Sequence, residues 1–133
     1  MEESGRTTPR RVLVVDDAPD MLEASAILLE GLGYEVLSAR SAAEALARVD
    51  DSAPDIVLLD ISLPDRSGHE VARAIRARPR GSRMFIAAVT GWDTSKDRVA
   101  TTSAGFDVHV AKPFDGTTLR RLMSAAEDAL RTR

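Results

Sequence analysis

Five polar residues stand at or just after the ends of short apolar runs. Asp16 and Asp17 follow Val12–Val15, Asp60 follows Ile56–Leu59, Thr90 follows Met84–Val89, and Lys112 comes just after Phe106–Val110. If the runs are strands of one parallel sheet, these residues converge on its carboxyl edge, where open α/β sheets bind ligands. Singly, each has an ordinary explanation. Asp16 or Asp17 could cap a helix beginning near Pro19, Asp60 could be a solvated loop residue, Thr90 a strand end and Lys112 a snorkelling lysine. Together, three carboxylates repel unless a cation intervenes. Carboxylates with no His or Cys nearby suit a hard divalent ion, Mg²⁺ (or Mn²⁺). Such an ion beside a Lys and a Thr is equipment for a phosphoryl group, whose oxygens need neutralising charge and a hydrogen-bond donor. The chain has no GxxxxGK[ST] loop, so nucleotide binding is unsupported and the acceptor must be a side chain. A carboxylate can form an acyl phosphate. Asp60 stands alone at the end of the central run and is the best candidate.

These residues need a scaffold. The apolar runs Val12–Val15, Tyr34–Leu37, Ile56–Leu59, Met84–Val89 and Phe106–Val110 are strand-length. Three are continuously apolar, as strands buried on both faces must be. The other two alternate: Tyr34, Val36 and Ser38 oppose Glu35 and Leu37, and Phe106, Val108 and Val110 oppose Asp107, His109 and Ala111. Alternation predicts edge strands. Between the runs, helical spacing links Leu22, Ala26, Leu29 and Leu32, stopped by Gly33. Ser41 with Glu44 and Ser67 with Glu70 read as capping boxes of two further helices. A fourth helix around Ser95–Ala104 has few apolar anchors and is expected to be the loosest. A fifth starts near Asp115 and carries Leu119, Leu122, Met123, Ala126 and Leu130. The expected fold is α/β: a doubly wound, five-stranded parallel sheet of strand order 2-1-3-4-5, the flavodoxin-like (βα)5 topology.

Composition narrows the function classes. A chain of 133 residues forms one domain, with residues 1–9 expected as a disordered tail and 10–133 as the folded unit. Lys plus Arg is 18 and Asp plus Glu is 21, a net charge of −3, which excludes a strongly basic nucleic-acid binder. With no cysteine, disulfides, thiolate metal sites and cysteine nucleophiles are excluded. No apolar run is long enough to span a bilayer and the N-terminus lacks a secretory segment, so the expected location is cytoplasmic. Only Lys96 and Lys112 are lysine among the basic residues, which makes Lys112 more noticeable. His69 and Glu70 are adjacent, so on a helix they face different directions and make no metal pair.

The chain resembles the receiver domain of two-component response regulators. The resemblance rests on VLVVDDAPDM at Val12–Met21, DIVLLDISLPDRSG at Asp55–Gly68, AAVTGW at Ala87–Trp92 and AGFDVHVAKPF at Ala104–Phe114, and extends from Arg11 to Arg131. It implies a phosphoacceptor rather than an enzyme, with only self-phosphorylation and autodephosphorylation chemistry. Asp60 would accept a phosphoryl group from a phosphohistidine of a sensor histidine kinase or histidine phosphotransfer protein. Asp17 and Asp60 would bind Mg²⁺ directly, Asp16 mainly through water, and the backbone carbonyl of Ser62 would complete the protein ligands. Lys112 would pair with Asp60 at rest and with the phosphoryl group after transfer, while Thr90 would move toward it. The Lys112–Pro113 peptide would be cis. The output surface would be the fourth helix, fifth strand and fifth helix, used by a downstream protein, with no direct nucleic-acid or membrane contact and a monomer or weak homodimer as the assembly.

One position departs from the family pattern. The aromatic switch residue is His109 here, equally readable as a half-exposed edge-strand imidazole. Trp92, two residues after Thr90, would report on the pocket by its emission. The GFDVHVAKP phrasing with the TGW turn looks most like receivers of hybrid sensor kinases. Three other readings compete with this one. A receiver-like interaction module that is never phosphorylated would not need the intact set of Asp16, Asp17, Asp60, Thr90 and Lys112. A phosphatase of the haloacid dehalogenase type needs an Asp two residues after the nucleophile, where Ser62 stands. A flavin carrier needs a phosphate-cradling loop after the first strand, where Asp16-Asp17-Ala18-Pro19 would repel phosphate.

Overall fold

The computed structural model describes residues 9–91, 102–112 and 114–133. The tail before Pro9, Trp92, most of the segment expected as a helix around Ser95–Ala104, and Pro113 with its peptide bond lie outside the described residues. Five strands, β1 (Arg11–Val15), β2 (Glu35–Ala39), β3 (Ile56–Asp60), β4 (Phe85–Thr90) and β5 (Val108–Ala111), form one sheet in the order β2-β1-β3-β4-β5. Every pairing is parallel. The helices between them are α1 (Pro19–Gly31), α2 (Ala42–Ser52) and α3 (Gly68–Arg76); residues 102–104 are helical, and a C-terminal helix spans Gly116–Arg131.

The period of two along each strand explains why the inner runs are continuously apolar. Leu13, Val15, Val57, Leu59, Ile86 and Ala88 point to one core, shared with α2 and α3. Val12, Val14, Ile56, Leu58, Phe85, Ala87 and Val89 point to the other, shared with α1 and the C-terminal helix. The result is a three-layer sandwich with β1, β3 and β4 inside, as the pattern predicts. Both capping boxes form: Ser41 Oγ accepts from the Glu44 N–H at 3.1 Å, and Ser67 Oγ from the Glu70 N–H at 3.3 Å. Asp115 caps the C-terminal helix by accepting from the Thr118 N–H at 2.8 Å, and these bonds hold its carboxyl below the usual range.

Three expectations are corrected. Leu32 is not part of the buried stripe of α1; it follows the helix end and is 41% exposed, while Leu22, Ser25 and Leu29 are buried. Tyr34 precedes β2 rather than starting it. Its hydroxyl donates to Glu127 Oε2 at 2.8 Å, and ladder pairing begins with Glu35 opposite Arg11. Phe106 does not share a face with Val108 and Val110. It precedes β5 and lies in the core with α2 and α3, because Gly105 turns the chain with φ at +103° before the strand begins.

Candidate functional site

The strand ends deliver their polar residues to one place. Asp16 follows β1 and its N–H donates to the Ala39 carbonyl at 3.1 Å. Asp60 is the last residue of β3, in register with Val89, and Thr90 is the last residue of β4, opposite Ala111. Asp16, Asp60 and Thr90 are buried at 4%, 5% and 0% exposure, while Asp17 is exposed. Carboxylate oxygens of Asp16, Asp17 and Asp60 all lie within 4.8 Å of one another. At that separation the two buried charges of Asp16 and Asp60 repel by about 3 kcal/mol at an effective dielectric of about 20.

Lys112 supplies the one ammonium that touches this group among the described residues. Its Nζ donates to Asp16 Oδ2 at 2.7 Å and to Asp60 Oδ2 at 3.4 Å, so the shorter bond goes to Asp16. Its backbone N–H donates to the Thr90 carbonyl at 2.7 Å, which ties the lysine to the end of β4. Burial alone would lower the lysine pKa, but the hydrogen bond to Asp16 and the charges of Asp60 and Asp16 outweigh it and hold the ammonium above its ordinary value. One positive charge against three negative ones leaves the cluster with a deficit of two. A hard divalent cation on oxygen ligands matches that deficit and the donor set.

The remaining acceptor capacity is unevenly spread. Asp16 Oδ1 is taken by the Ala18 N–H at 2.9 Å, and Asp60 Oδ1 by the Ser62 N–H at 2.9 Å. Asp17 makes no hydrogen bond or ion pair among the described residues. The loop after β3 is closed by Gly68, whose N–H donates to the Ile61 carbonyl at 3.0 Å; a Cβ there would meet Ile61 Cα at 2.5 Å, so only glycine fits. The middle of the loop is anchored by the buried Leu63 and by Asp65, whose carboxylate accepts from the Ala42 and Ala43 N–H groups at 2.9 and 3.1 Å. Those bonds hold the Asp65 carboxyl below its usual range. Asp65 was not singled out from the sequence, because its partners are more than twenty residues away and no local pattern joins them.

His109 lies on β5 in register with Ala88, on the opposite face from Val108 and Val110. Since Ala111 is in register with Thr90, the strand period puts His109 and Thr90 on the same side of the sheet. His109 is half-buried. His69 packs edge-on against Phe106, with ring centroids 6.1 Å apart.

The match to known proteins is decisive at family level. The family model described as "Response regulator receiver domain" matches residues 12–124. The chain belongs to the response regulator receiver family. The transcriptional regulatory protein PrrA of Mycobacterium tuberculosis is 36% identical over 131 residues, 98% of this chain and 54% of PrrA. The DNA-binding response regulator MtrA of Mycolicibacterium smegmatis is 37% identical over 108 residues, 81% of this chain and 46% of MtrA. This receiver chain therefore spans about half the length of those two regulators. A 14.6 kDa protein of Leptolyngbya boryana is 33% identical over 112 residues, 84% of this chain and 86% of its own. Among solved structures, the chemotaxis response regulator CheY4 of Vibrio cholerae superposes with a TM-score of 0.86 at 26% identity, covering 90% of this chain and 99% of CheY4. A CheY-like receiver domain protein of Methanospirillum hungatei gives 0.84 at 30% identity, covering 95% and 100%. No described helix is long and apolar enough to cross a membrane.

Proposed function

We propose that residues 10–133 form a receiver unit that accepts a phosphoryl group on Asp60 in a phosphorelay and changes a protein-binding surface in response. The observation that carries this is the convergence of Asp16, Asp17 and Asp60 within 4.8 Å, with Lys112 against two of them and Thr90 at the next strand end. The phosphodonor is a phosphohistidine on a sensor histidine kinase or histidine phosphotransfer protein. An Asp60 carboxylate oxygen attacks phosphorus in line as the P–N bond breaks. The imidazole leaves with the bonding pair and, protonated on its other nitrogen, departs neutral. Lys112 shifts its charge onto the phosphoryl oxygens, and the Thr90 hydroxyl donates to one of them. Asp17 and Asp60, with the Ser62 carbonyl, would hold Mg²⁺ or Mn²⁺, and Asp16 would act through a water; a bound ion would supply positive charge against the repulsion between Asp60 and the incoming phosphoryl group. Asp17, which makes no hydrogen bond or ion pair among the described residues, suits direct ligation, while Asp16, bonded to Lys112 and the Ala18 N–H, suits the indirect role.

The chemistry ends at a phosphorylated carboxylate, so the chain acts as an acceptor rather than a turnover enzyme. Its setting is the cytoplasm. Thr90 and His109, on one side of the sheet, are the switch pair, and β5 with its flanking helices is the output surface toward a downstream protein. The switch is a population shift between two states of one fold. The test is intact mass after incubation with acetyl phosphate. A gain of one phosphoryl group that requires both Mg²⁺ and Asp60, and is absent in Asp60→Asn, is the expected result. A folded protein that gains nothing would instead be a receiver-like interaction module that is not phosphorylated.

A further inference from the structure

The carboxylate of Asp65 joins two loops of the carboxyl edge. It accepts from the Ala42 N–H at 2.9 Å and from the Ala43 N–H at 3.1 Å. The first three N–H groups of α2 have no carbonyl partner within the helix. Ser41 Oγ takes the Glu44 N–H, and the other two go to Asp65. A carboxylate suits that place, because a helix N-terminus carries positive partial charge. Asp65 and Ala43 are exposed, so water is available at this contact. What the carboxylate adds over water is a fixed distance between two segments of chain.

Both segments reach the carboxylate cluster. The turn from β2 into α2 holds Asp16, whose N–H donates to the Ala39 carbonyl at 3.1 Å. The loop after β3 carries Asp60 and Ser62, and the Ser62 N–H donates to Asp60 Oδ1 at 2.9 Å. On the Asp60 side this loop is held by Ile61, whose N–H donates to the Val89 carbonyl at 3.2 Å. Ser62 and Pro64 are exposed, so past Ser62 the loop is held by the buried Leu63 and then by Asp65. The base to which Asp65 fastens is firm: Ala42, Ala45 and Val49 of α2 are buried in one core with Leu63, Val71 and Ile75.

We propose that Asp65 is a positioning residue for the cation site. By fastening the loop that bears Ser62 to the N-terminus of α2, it sets where the Ser62 carbonyl stands relative to Asp16, Asp17 and Asp60. The proposal rests on the reading of the carboxyl edge as a divalent-cation site. Asp65 acts through the loop and is not itself a ligand.

Calorimetric titration of Mg²⁺ into the native chain, Asp65→Ala, Asp65→Asn and Ser41→Ala tests it. Asp65→Ala should weaken Mg²⁺ binding about tenfold, the low end of what losing a group that orients a metal ligand costs. Asp65→Asn keeps one acceptor oxygen and should fall between the native chain and Asp65→Ala. Ser41→Ala removes the other cap of the same helix end without touching the loop, so it should lower Tm and leave Mg²⁺ affinity unchanged. A second readout needs no metal: the Ser62 N–H should exchange faster in Asp65→Ala and at the native rate in Ser41→Ala. Melting curves check that each variant is folded. Native Mg²⁺ affinity or native Ser62 exchange in Asp65→Ala, or an equal loss of affinity in Ser41→Ala, overturns the proposal. A native chain with no saturable Mg²⁺ binding overturns the cation reading as well, and the native titration alone reveals it.

Discussion

The carboxyl edge of the sheet holds three carboxylates against one ammonium. At the amino edge, beside β4 and β5, one carboxylate stands against two guanidiniums. Asp107, just before β5, accepts from Arg76 Nη2 at 2.9 Å, from the Ile86 N–H at 2.8 Å and from Arg133. The remaining donors of Arg76 go to the carbonyls of Gly105 at 2.9 Å and of Gly81 and Met84 at 2.7 Å each. Arg133 also lies over the Phe85 ring, 5.9 Å from its centre. Here the excess positive charge meets backbone carbonyl dipoles and an aromatic face, and every partner is supplied by the chain itself. At the carboxyl edge, among the described residues, Asp17 has no partner and one ammonium faces three carboxylates. The same residue types thus build a clamp at one end of the sheet and a receptive site at the other. What separates them is whether the protein completes its own electrostatics.

The largest way to break this contrast on the amino edge is Arg76→Ala. It strips the half-buried Asp107 of a partner and takes a donor from three carbonyls, of which Met84 keeps Arg133 and Gly81 keeps the Met84 N–H, and it should cost about 2–4 kcal/mol of stability in a denaturant titration. At a temperature where the variant stays folded, Asp60 should still accept a phosphoryl group. A large loss of stability together with intact phosphorylation would show that the two edges do separate jobs.

The pH dependence sharpens the point. Burial alone would raise the Asp107 pKa, but the hydrogen bonds from Arg133 and the Ile86 N–H, with the charge of Arg76, hold it below the usual carboxylate range. A carboxyl lowered by folding contributes stability that is fully present above its unfolded pKa of about 3.9 and is lost as the pH falls through the lower folded value. The Tm difference between the native chain and Asp107→Asn should therefore be constant from neutral pH down to about 5 and close below about 4. A difference that persisted in acid would assign the clamp to packing rather than charge. Asp65→Ala should do least. It should speed amide exchange at Ala42 and Ala43 and lower Tm by less than the Arg76 variant.

Much of the carboxyl edge was legible because its signals are local. A continuous apolar run such as Ile56–Leu59 ends in Asp60, and the period of two forces the next polar residue to the sheet margin. The strand order followed from which runs alternate. The clamp was not legible, because Arg76, Asp107 and Arg133 are separated by 31 and 26 residues and meet only after the sheet forms. Strand starts were misjudged where an apolar residue serves another purpose: Tyr34 reaches Glu127, and Phe106 turns into the opposite core at Gly105. The split of Lys112 between Asp16 and Asp60 depends on side-chain geometry that no spacing rule encodes.

The central claim is that the carboxyl edge is left two charges short so that a divalent cation can complete it. Calorimetric titration of Mg²⁺ into the native chain, Asp17→Asn and Asp107→Asn tests it most directly. The account predicts one ion per chain, affinity reduced at least about tenfold by Asp17→Asn, and no change with Asp107→Asn. A folded native chain with no saturable Mg²⁺ binding, or binding unaffected by Asp17→Asn, would contradict it.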